Sequence, residues 1–250
     1  MSLAGRHAFV TGGGTGIGAA VARALAAEGA KLTLVGRRRE PLEEVAYELR
    51  SLGTNKVVVC TADVTDRAQV DRALAAAREA NGPIDILVNN AGAAAGVPFA
   101  KVSETLWRQM LAVNLDGMFH CCQAALPDLL AAEAGRIVTI ASMAGLHGFA
   151  YASPYIAAKH GAVGLTRGLA AEFAGTNLRV NAVCPGFVDT DMTVRSVETI
   201  VAKTGRAEEE ARAELARLNP SGRLIAPEEV ARAVLDLVRS ERNGEAMEIA

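Results

Sequence analysis

The sequence predicts an α/β fold, in which one domain is built on a parallel, doubly wound sheet of about seven strands with helices on both faces. Short apolar segments rich in β-branched residues alternate with longer segments of helical periodicity. Strict alternation of this kind is typical of parallel sheets with right-handed crossovers. The strand segments are almost continuously apolar, as expected where helices cover both faces of a sheet. No repeat or linker interrupts the chain, so we expect a single domain over residues 1–250.

The elements follow one another in a regular order. Apolar, β-branched runs predict strands at residues 7–11, 32–35, 56–61, 85–89, 136–142 and 179–184, with a short last strand at 246–250. Helical periodicity predicts helices at residues 16–28, 40–52, 66–80, 104–132, 154–174 and 227–240. Ser153 followed by Pro154 indicates an N-cap and a proline at the first helical position, and Pro227 indicates a second such start. Glycines come just after four of the predicted helix ends, where glycine is favoured: Gly29, Gly53, Gly82 and Gly135.

One segment breaks the alternation. Residues 191–222 follow a strand and are helical and charged, with a helix expected at 207–218, but no strand follows them directly. We therefore expect an insertion above the sheet, in the position that a substrate lid would occupy.

Composition excludes several classes of protein. Half of the residues are apolar, 22 % are charged and the net charge is -2, which is typical of a soluble globular protein. There is no basic excess that would favour nucleic acid as a partner, and no apolar run long enough to span a bilayer. The N-terminal residues lack the regions of a signal peptide, so we expect a cytoplasmic protein.

The cysteines and histidines do not predict a metal site. They are scattered without metal-type spacing, at Cys60, Cys121, Cys122, Cys184, His7, His120, His147 and His160. The cysteines are interpreted as small buried hydrophobic residues in a reducing compartment.

A glycine-rich turn between the first strand and the first helix predicts a dinucleotide site. In the segment Thr-Gly-Gly-Gly-Thr-Gly-Ile-Gly at residues 11–18, Gly12 permits the tight turn, Gly16 lets the backbone approach a pyrophosphate and Gly18 lets the helix pack against the strand. The helix N-terminus offers N–H groups and a positive dipole end to the phosphates. A glycine-rich turn without a ligand is the alternative.

The end of the second strand favours NADP(H) over NAD(H). A carboxylate at this position binds the ribose 2′-hydroxyl of NAD, whereas an arginine accommodates the 2′-phosphate of NADP. Here Arg37 and Arg38 follow the strand, and no carboxylate occurs before Glu40. Arginines suit a phosphate monoester because they form charge-assisted, often bidentate hydrogen bonds. The alternative is that these arginines are a solvated start to the second helix.

A tyrosine and a lysine one helical turn apart supply acid/base chemistry. Lys159 lies four residues after Tyr155, on the same helix face, and its charge is expected to lower the phenol pKa from its usual value of about 10. Such a phenol can exchange a proton with a ketone oxygen while a hydride moves to carbon. Ser142 is placed at the carboxyl end of the fifth strand, where its hydroxyl could hold the substrate oxygen. Taken alone, a Tyr/Lys pair at this spacing is more often a packed aromatic residue beside a solvated one.

These residues together resemble the short-chain dehydrogenase/reductase family over essentially the whole chain. The matching motifs are T-G-x-x-x-G-x-G at residues 11–18, Asn-Asn-Ala-Gly at 89–92, Asn114, Ser142, Tyr155-x-x-x-Lys159, and Pro185-Gly186 followed by Thr190. The resemblance implies a single Rossmann-type domain, a nicotinamide cofactor and a homotetramer or homodimer. It implies a catalytic set of Asn114, Ser142, Tyr155 and Lys159, in which Asn114 holds a water that relays protons to Lys159. On geometry alone Asn114 could be an exposed polar residue of its helix.

The resemblance also extends the predicted cofactor site. It places Asp63 at the adenine, the turn at residues 89–92 beside the adenosine ribose, and the segment after residue 184 around the nicotinamide. The predicted cofactor contacts are Gly12, Thr15, Gly16, Ile17, Gly18, Arg37, Arg38, Asp63, Val64, Asn89, Ala91, Gly92, Tyr155, Lys159, Pro185, Gly186, Val188 and Thr190. The chain departs from the family in two places: Thr15 stands where NADP-dependent members often carry a basic residue, and the C-terminal tail has no Gly-Gly sequence.

The substrate is predicted less sharply. The segments expected to flank it, residues 93–97, 143–151 and 187, are mostly small or apolar, which favours a neutral reacting end. The chain is similar to family members that act on 3-hydroxyacyl or 3-ketoacyl thioesters, and cations on the insertion could meet CoA or carrier-protein phosphates: Arg195, Lys203, Arg206 and Arg212. Solvated helix charges are the alternative for these cations. The competing functions are a dehydrogenase or reductase of a free cyclic, aromatic or steroid-like alcohol, and a non-catalytic dinucleotide-binding protein.

Overall fold

The protein has seven parallel strands in one sheet. The computed structural model describes residues 2–53 and 56–250. The strands are β1 (His7–Thr11), β2 (Lys31–Gly36), β3 (Val57–Thr61), β4 (Ile86–Asn89), β5 (Arg136–Ile140), β6 (Arg179–Pro185) and β7 (Ala246–Ile249). Their spatial order is β3-β2-β1-β4-β5-β6-β7, and every neighbouring pair is parallel. The predicted doubly wound α/β fold is confirmed.

Helices cover both faces of this sheet. They are α1 (Gly16–Ala27), α2 (Arg39–Ser51), α3 (Arg67–Asn81), α4 (Glu104–Leu111), α5 (Gly117–Ala131), α6 (Ser153–Glu172), α7 (Asp191–Thr204), α8 (Glu208–Arg217) and α9 (Pro227–Arg239). Apolar residues of α1, α2 and α9 form the core on one face, and those of α3, α5 and α6 form the core on the other. The near-continuous apolar strands are therefore buried on both sides. None of the described helices is both long and apolar enough to cross a membrane.

The order of the strands reverses between β1 and β4. In open α/β sheets ligands bind outside the carboxyl ends of the strands at such a reversal. The glycine turn follows β1 and the Asn-Asn-Ala-Gly turn follows β4, so both lie at this point. The sheet thus brings the two motifs together although they are about 80 residues apart in the chain.

Three predicted boundaries are wrong. The helix predicted at 104–132 is divided into α4 and α5 by a π-helical turn at Ala112–Asp116, where the Asn114 side chain donates to the Met110 carbonyl four residues earlier. Strand β5 ends at Ile140, and Ser142 instead begins a 3₁₀ turn by accepting from the Ala144 N–H at 3.1 Å. Helix α6 has Ala152, not Ser153, as its N-cap residue, because Ser153 is already helical and makes no capping hydrogen bond.

The insertion predicted at about 191–222 consists of α7 and α8. Val197 on α7 packs with Ala211 and Leu215 on α8, and Phe187, which precedes the insertion, packs against this small core. The isolated parallel bridge between Val188 and Ile225 joins the two ends of the insertion. The insertion is therefore a compact helical pair that stands on the carboxyl edge of the sheet.

Candidate active site

The glycine turn is folded so tightly that side chains are excluded from it. Gly12 and Gly16 have φ values of +65° and +51°, which L-residues rarely adopt. A Cβ on Gly18 would lie 2.1 Å from the Gly12 carbonyl oxygen, so α1 begins in direct contact with the end of β1. The N-cap residue Thr15 makes no side-chain capping bond. The first-turn N–H groups of α1 are thus available to an anion, as a dinucleotide phosphate requires.

Asn90 and Thr11 join the glycine turn to the end of β4. The Asn90 side chain donates to the carbonyl oxygens of Thr11 (2.9 Å) and Gly12 (3.2 Å). The Thr11 hydroxyl accepts from the backbone N–H groups of Asn90 (2.9 Å) and Ala91 (3.0 Å). Neither residue is among the predicted site residues, although both stand inside the quoted motifs. These bonds fix the two turns relative to each other across the strand reversal.

Arg37 and Arg38 lie beside the glycine turn. They share one cleft with Gly12, Gly14, Thr15, Gly36, Pro41 and Leu42. Both arginines are exposed, and neither makes a salt bridge or a side-chain hydrogen bond to another residue of the described chain. By contrast, the next arginine, Arg39, pairs with Glu43 at 3.1 Å. Two guanidinium groups that are unpaired within the described chain thus border the cleft beside the glycine turn, and such groups can pair with a phosphate.

The other residues predicted to contact the adenosine differ in how far their side chains are exposed. Asp63 is half-buried, and its Oδ1 accepts from the N–H and the hydroxyl of Thr65. Val64 is buried against Gly117 of α5. The Asn89 side chain is also buried, with Nδ2 donating to Cys122 Sγ at 3.3 Å. Of this group, the Asp63 carboxylate is the polar side chain in a position to bind an adenosine.

Lys159 and Asn114 are both buried, and both lie near Gly92. Lys159 Nζ donates to the Ile140 carbonyl at 2.8 Å and lies 5.7 Å from the centroid of the Tyr155 ring. The Asn114 side chain donates to Ala93 O at 2.9 Å and accepts from Ala93 N at 3.2 Å. A Cβ on Gly92 would lie 2.9 Å from Asn114 Oδ1 and 3.7 Å from Lys159 Nζ. Asn114 is only 4 % exposed, so the alternative of an exposed helix position is wrong.

Burial controls the protonation of the Tyr155–Lys159 pair. Burial raises the pKa of Tyr155, and its interaction with Ser142 partly opposes that rise. Burial also lowers the pKa of Lys159 to about 8. The expectation that Lys159 lowers the Tyr155 pKa is thus not met in the protein alone. The reason is geometric, since the Lys159 ammonium is bonded to the Ile140 carbonyl and desolvation of the phenolate dominates.

The segment after β6 is held by a residue that the sequence did not single out. Asn219 is 2 % exposed; its Oδ1 accepts from Phe187 N at 2.8 Å, and its Nδ2 donates to Phe187 O at 2.9 Å. A Cβ on Gly186 would lie 2.1 Å from Asn219 Oδ1, so only glycine fits there. Thr190 comes next to the glycine turn, because a Cβ on Gly16 would lie 3.0 Å from its Cγ2. Thr190 thus borders the glycine turn, and Gly186 lies beside Met143, where a Cβ would come 3.0 Å from the sulfur.

Most of the cations on the insertion bind partners within the protein. Arg206 pairs with Glu214, and Arg212 pairs with Asp189 at 2.6 Å. Lys203 Nζ donates to the Gly96 carbonyl at 3.0 Å, which joins α7 to the loop after β4. Only Arg195 of the four lacks a side-chain partner among the described residues. These pairings weaken the prediction that the four cations form a phosphate site. Within residues 2–53 and 56–250 no cluster of three or more histidine, cysteine or acidic side chains is arranged to hold a metal ion.

The arrangement has relatives of known description. The family model described as short chain dehydrogenase matches residues 6–200. A Streptomyces violaceoruber protein, named as putative ketoacyl reductase 1 of the granaticin polyketide synthase, is 42 % identical over 237 residues, which cover 94 % of this chain and 86 % of that protein. The L-tagatose-forming galactitol 2-dehydrogenase of Cereibacter sphaeroides is 41 % identical over 241 residues, covering 94 % and 88 %. The crystal structure of a tryptophan-substituted actinorhodin polyketide ketoreductase with NADPH superposes with a TM-score of 0.93 at 36 % identity, covering 98 % of this chain and 95 % of that one.

Proposed function

This chain belongs to the short-chain dehydrogenase family, and on that premise we propose that it interconverts 3-ketoacyl and 3-hydroxyacyl thioesters with NADP(H). It is an oxidoreductase of a secondary alcohol and its ketone that uses NAD(P). The finer proposal is supported above all by one observation: the buried Lys159 ammonium lies 5.7 Å from the Tyr155 ring centroid and lines one cavity with the buried Asn114. A non-catalytic dinucleotide-binding protein has no need to keep a buried ammonium there.

In the proposed reaction Tyr155 is the acid/base. The glycine turn, with Arg37 and Arg38 beside it, would hold NADPH, which would supply the hydride that the carbonyl carbon of the substrate accepts. The Tyr155 hydroxyl gives its proton to the carbonyl oxygen, and Ser142 orients that oxygen by a hydrogen bond. When substrate binds, the Lys159 ammonium is expected to stabilise the phenolate that remains, an effect that the raised Tyr155 pKa of the protein alone does not include. Asn114, fixed by its bonds to Ala93, keeps the surroundings of Lys159 in place.

The proposed cofactor preference rests on Arg37 and Arg38. Their guanidinium groups are unpaired within the described chain and share a cleft with the glycine turn. We expect that replacing both with alanine raises KM for NADPH by about 10-fold or more, because each charge-assisted bond to a phosphate contributes about 1.5 kcal/mol or more. KM for NADH is expected to change little. The Arg39→Ala variant is the matched control, since Arg39 is engaged by Glu43. Equal losses with both cofactors would mean that the two arginines do not select NADPH.

The proposed thioester substrate is supported by the ketoacyl reductases among the relatives and by the small, apolar loop at residues 93–97. A free polyol or cyclic alcohol is the second candidate, because one relative of similar identity is a galactitol dehydrogenase. Parallel assays of acetoacetyl-CoA reduction and of cyclic ketone reduction, with NADPH and with NADH, distinguish the candidates. Faster turnover of a free ketone than of the thioester would contradict the proposed substrate.

The proposed role of Tyr155 is tested by Tyr155→Phe. This variant removes only the hydroxyl, so we expect cofactor binding, measured by nicotinamide fluorescence, to be preserved. Turnover is expected to fall by at least about 100-fold, the usual contribution of a positioned acid/base. Tyr47→Phe is the matched control, since Tyr47 is 76 % exposed on α2 and lies outside the catalytic and substrate-flanking segments. A Tyr155→Phe variant as fast as the parent would refute the mechanism.

We also propose that the protein is a homo-oligomer. Trp107 on α4 and Phe119 on α5 are 37 % and 44 % exposed, although large aromatic side chains usually find a buried partner. Light scattering during size-exclusion chromatography measures the assembly directly. A monomer at micromolar concentration would contradict this part of the proposal.

A further inference from the structure

One buried polar atom near the candidate active site has no partner. Asn89 is 5 % exposed, and its amide nitrogen donates to Cys122 Sγ. Burial raises the pKa of Cys122 to about 12, so the thiol is neutral and a weak acceptor. The other end of the amide, Asn89 Oδ1, is buried and forms no hydrogen bond to any described residue. Buried carbonyl oxygens are rarely left in this state, because an unsatisfied one costs about 1–3 kcal/mol.

A small cavity borders Asn89 on the inner side of the catalytic residues. The volume open to the centre of a water molecule is about 10 Å³, which is room for one water. Its polar lining comes from Thr11, Asn89, Asn114, Thr139 and Lys159. A buried water usually makes about three hydrogen bonds, so a cavity with this lining favours water over an empty space.

Lys159 has donors to spare on the same cavity. Its ammonium carries three N–H groups, and the described residues accept one of them, through the Ile140 carbonyl at 2.8 Å. The Asn114 amide uses both of its N–H groups on Ala93 O and Met110 O. Thr11 Oγ1 already accepts twice and donates to Val88 O. The Thr139 hydroxyl has a partner, since it donates to Met118 Sδ, whereas Asn89 Oδ1 has none. The free donors on Lys159 therefore find their unsatisfied complement in Asn89.

We propose that Asn89 is a positioning residue for Lys159: its side-chain carbonyl holds one buried water molecule, and that water accepts a hydrogen bond from the Lys159 ammonium. The water oxygen accepts from Lys159 and one of its hydrogens is donated to Asn89 Oδ1, so both unsatisfied groups are satisfied. The inference rests on the proposed function, in which the Lys159 charge supports Tyr155. It gives the first residue of the Asn-Asn-Ala-Gly turn a role inside the protein, separate from the ribose contact that the family resemblance implies.

The consequence for protonation follows from hydrogen bonding to the charged form. An acceptor that reaches Lys159 through water stabilises the ammonium and opposes the burial that lowers its pKa. The other titratable groups that face Lys159 are Tyr155, on its own helix α6, and Cys184 on β6. Burial raises the pKa of the Cys184 thiol to about 11, so this thiol stays protonated. The groups that face Lys159 from the other elements are neutral: the Ile140 carbonyl of β5, the Asn89 amide of β4 and the Asn114 amide of the π-helical turn. Removing the Asn89 carbonyl is therefore expected to lower the pKa of Lys159 further.

The test measures the pKa of Lys159 in the cofactor-free protein by NMR of lysines labelled at Cε, with Lys159→Met used to assign the signal. Asn89→Leu keeps the volume and removes the carbonyl, and we expect it to lower the pKa by about one unit. Asn89→Asp is expected to raise it, because a carboxylate then faces the same water. Asn81→Leu is the matched control, since Asn81 is equally buried but bonds to Leu32 O at the far side of β1. An unchanged pKa in both Asn89 variants would overturn the proposal.

Kinetics give a second, separate measurement. In ketone reduction kcat/KM falls as pH rises through the deprotonation of the Lys159–Tyr155 unit. Asn89→Leu is expected to move this fall to lower pH, so that kcat/KM at a pH above the fall is about 10-fold lower than in the parent. If Asn89→Leu does not fold, Asn89→Asp alone decides, and a downward or absent shift overturns the proposal. A parent protein that binds cofactor but turns over no ketone would refute the proposed function, while the NMR result would still decide the role of Asn89.

Discussion

Replacing Lys159 with methionine is expected to stabilise the cofactor-free protein while abolishing turnover. Burial lowers the Lys159 pKa from its ordinary value of 10.5 to about 8. At about 1.36 kcal/mol per unit, keeping the ammonium charged in the fold costs about 3 kcal/mol. Methionine removes this cost but leaves the Ile140 carbonyl without its hydrogen-bond donor, which lowers the free energy of unfolding by about 1 kcal/mol. The expected net stabilisation is about 2 kcal/mol.

The stabilisation should depend on pH with a defined sign. Because the folded pKa lies below the unfolded one, the unfolded chain binds more protons between about pH 8 and 10.5. The stability of the parent protein therefore rises with pH in this window, whereas below about pH 8 the cost of the buried charge is present in full. The advantage of Lys159→Met should be largest at or below about pH 8 and should shrink as pH approaches 10.5.

Thermal unfolding of parent and variant at equal protein concentration, across the interval from neutral pH to pH 10.5, measures this difference. A gain of about 2 kcal/mol corresponds to a rise in Tm of about 4–8 °C for a chain of this length. Lys101→Met is the control, because Lys101 is exposed and its replacement should change stability by less than about 0.5 kcal/mol. A Lys159→Met variant that is less stable than the parent at every pH would refute the reasoning, since the ammonium would then be a net stabilising group.

Two further predictions concern backbone geometry. Tyr151 is 65 % exposed and has a φ of +66°, so Tyr151→Gly should relieve strain and raise the unfolding free energy in urea by about 0.5–1 kcal/mol; a loss of stability would contradict it. Gly18→Ala places a Cβ 2.1 Å from the Gly12 carbonyl, so we expect a loss of about 3 kcal/mol and of NADPH fluorescence enhancement. The control is Gly164→Ala, where a Cβ meets nothing within 4 Å; equal behaviour of the two variants would mean that the glycine turn is not tightly packed.

Local sequence patterns predicted the strands well because the five inner strands are buried along nearly their whole length, and they also predicted the motifs that these strands carry. The same patterns gave wrong element boundaries where a side chain, rather than a backbone group, makes the hydrogen bond that shapes the turn. The π-helical turn depends on Asn114 bonding to Met110 O and to Ala93, and no helical periodicity encodes a contact with a residue 21 positions away. The 3₁₀ turn at Ser142 has the same origin, since its hydroxyl takes over from the strand.

Residues that act over long sequence separations were not predicted. Asn219 lies in the predicted insertion and has no motif around it, yet it bonds to both backbone groups of Phe187, 32 residues earlier. The protonation of Tyr155 was predicted in the wrong direction for the protein alone, because spacing indicates that Lys159 is near but does not indicate how deeply the phenol is buried. Burial and long-range hydrogen bonds are properties of the assembled fold.

The way in which the helical insertion is fastened has a consequence for how such a protein can be altered. The chain segments that flank it are tied side by side, through Asp189 N to Ile225 O at 2.8 Å and Ile225 N to Phe187 O at 3.0 Å. The residues between these fastenings can therefore be lengthened, shortened or exchanged without changing the spacing of β6 and α9, which the ties already fix. Chain length in this segment is thus less tightly coupled to the geometry of the sheet, and a transplanted segment must reproduce the Asn219 amide, which bonds to both backbone groups of Phe187 and to the Arg223 carbonyl.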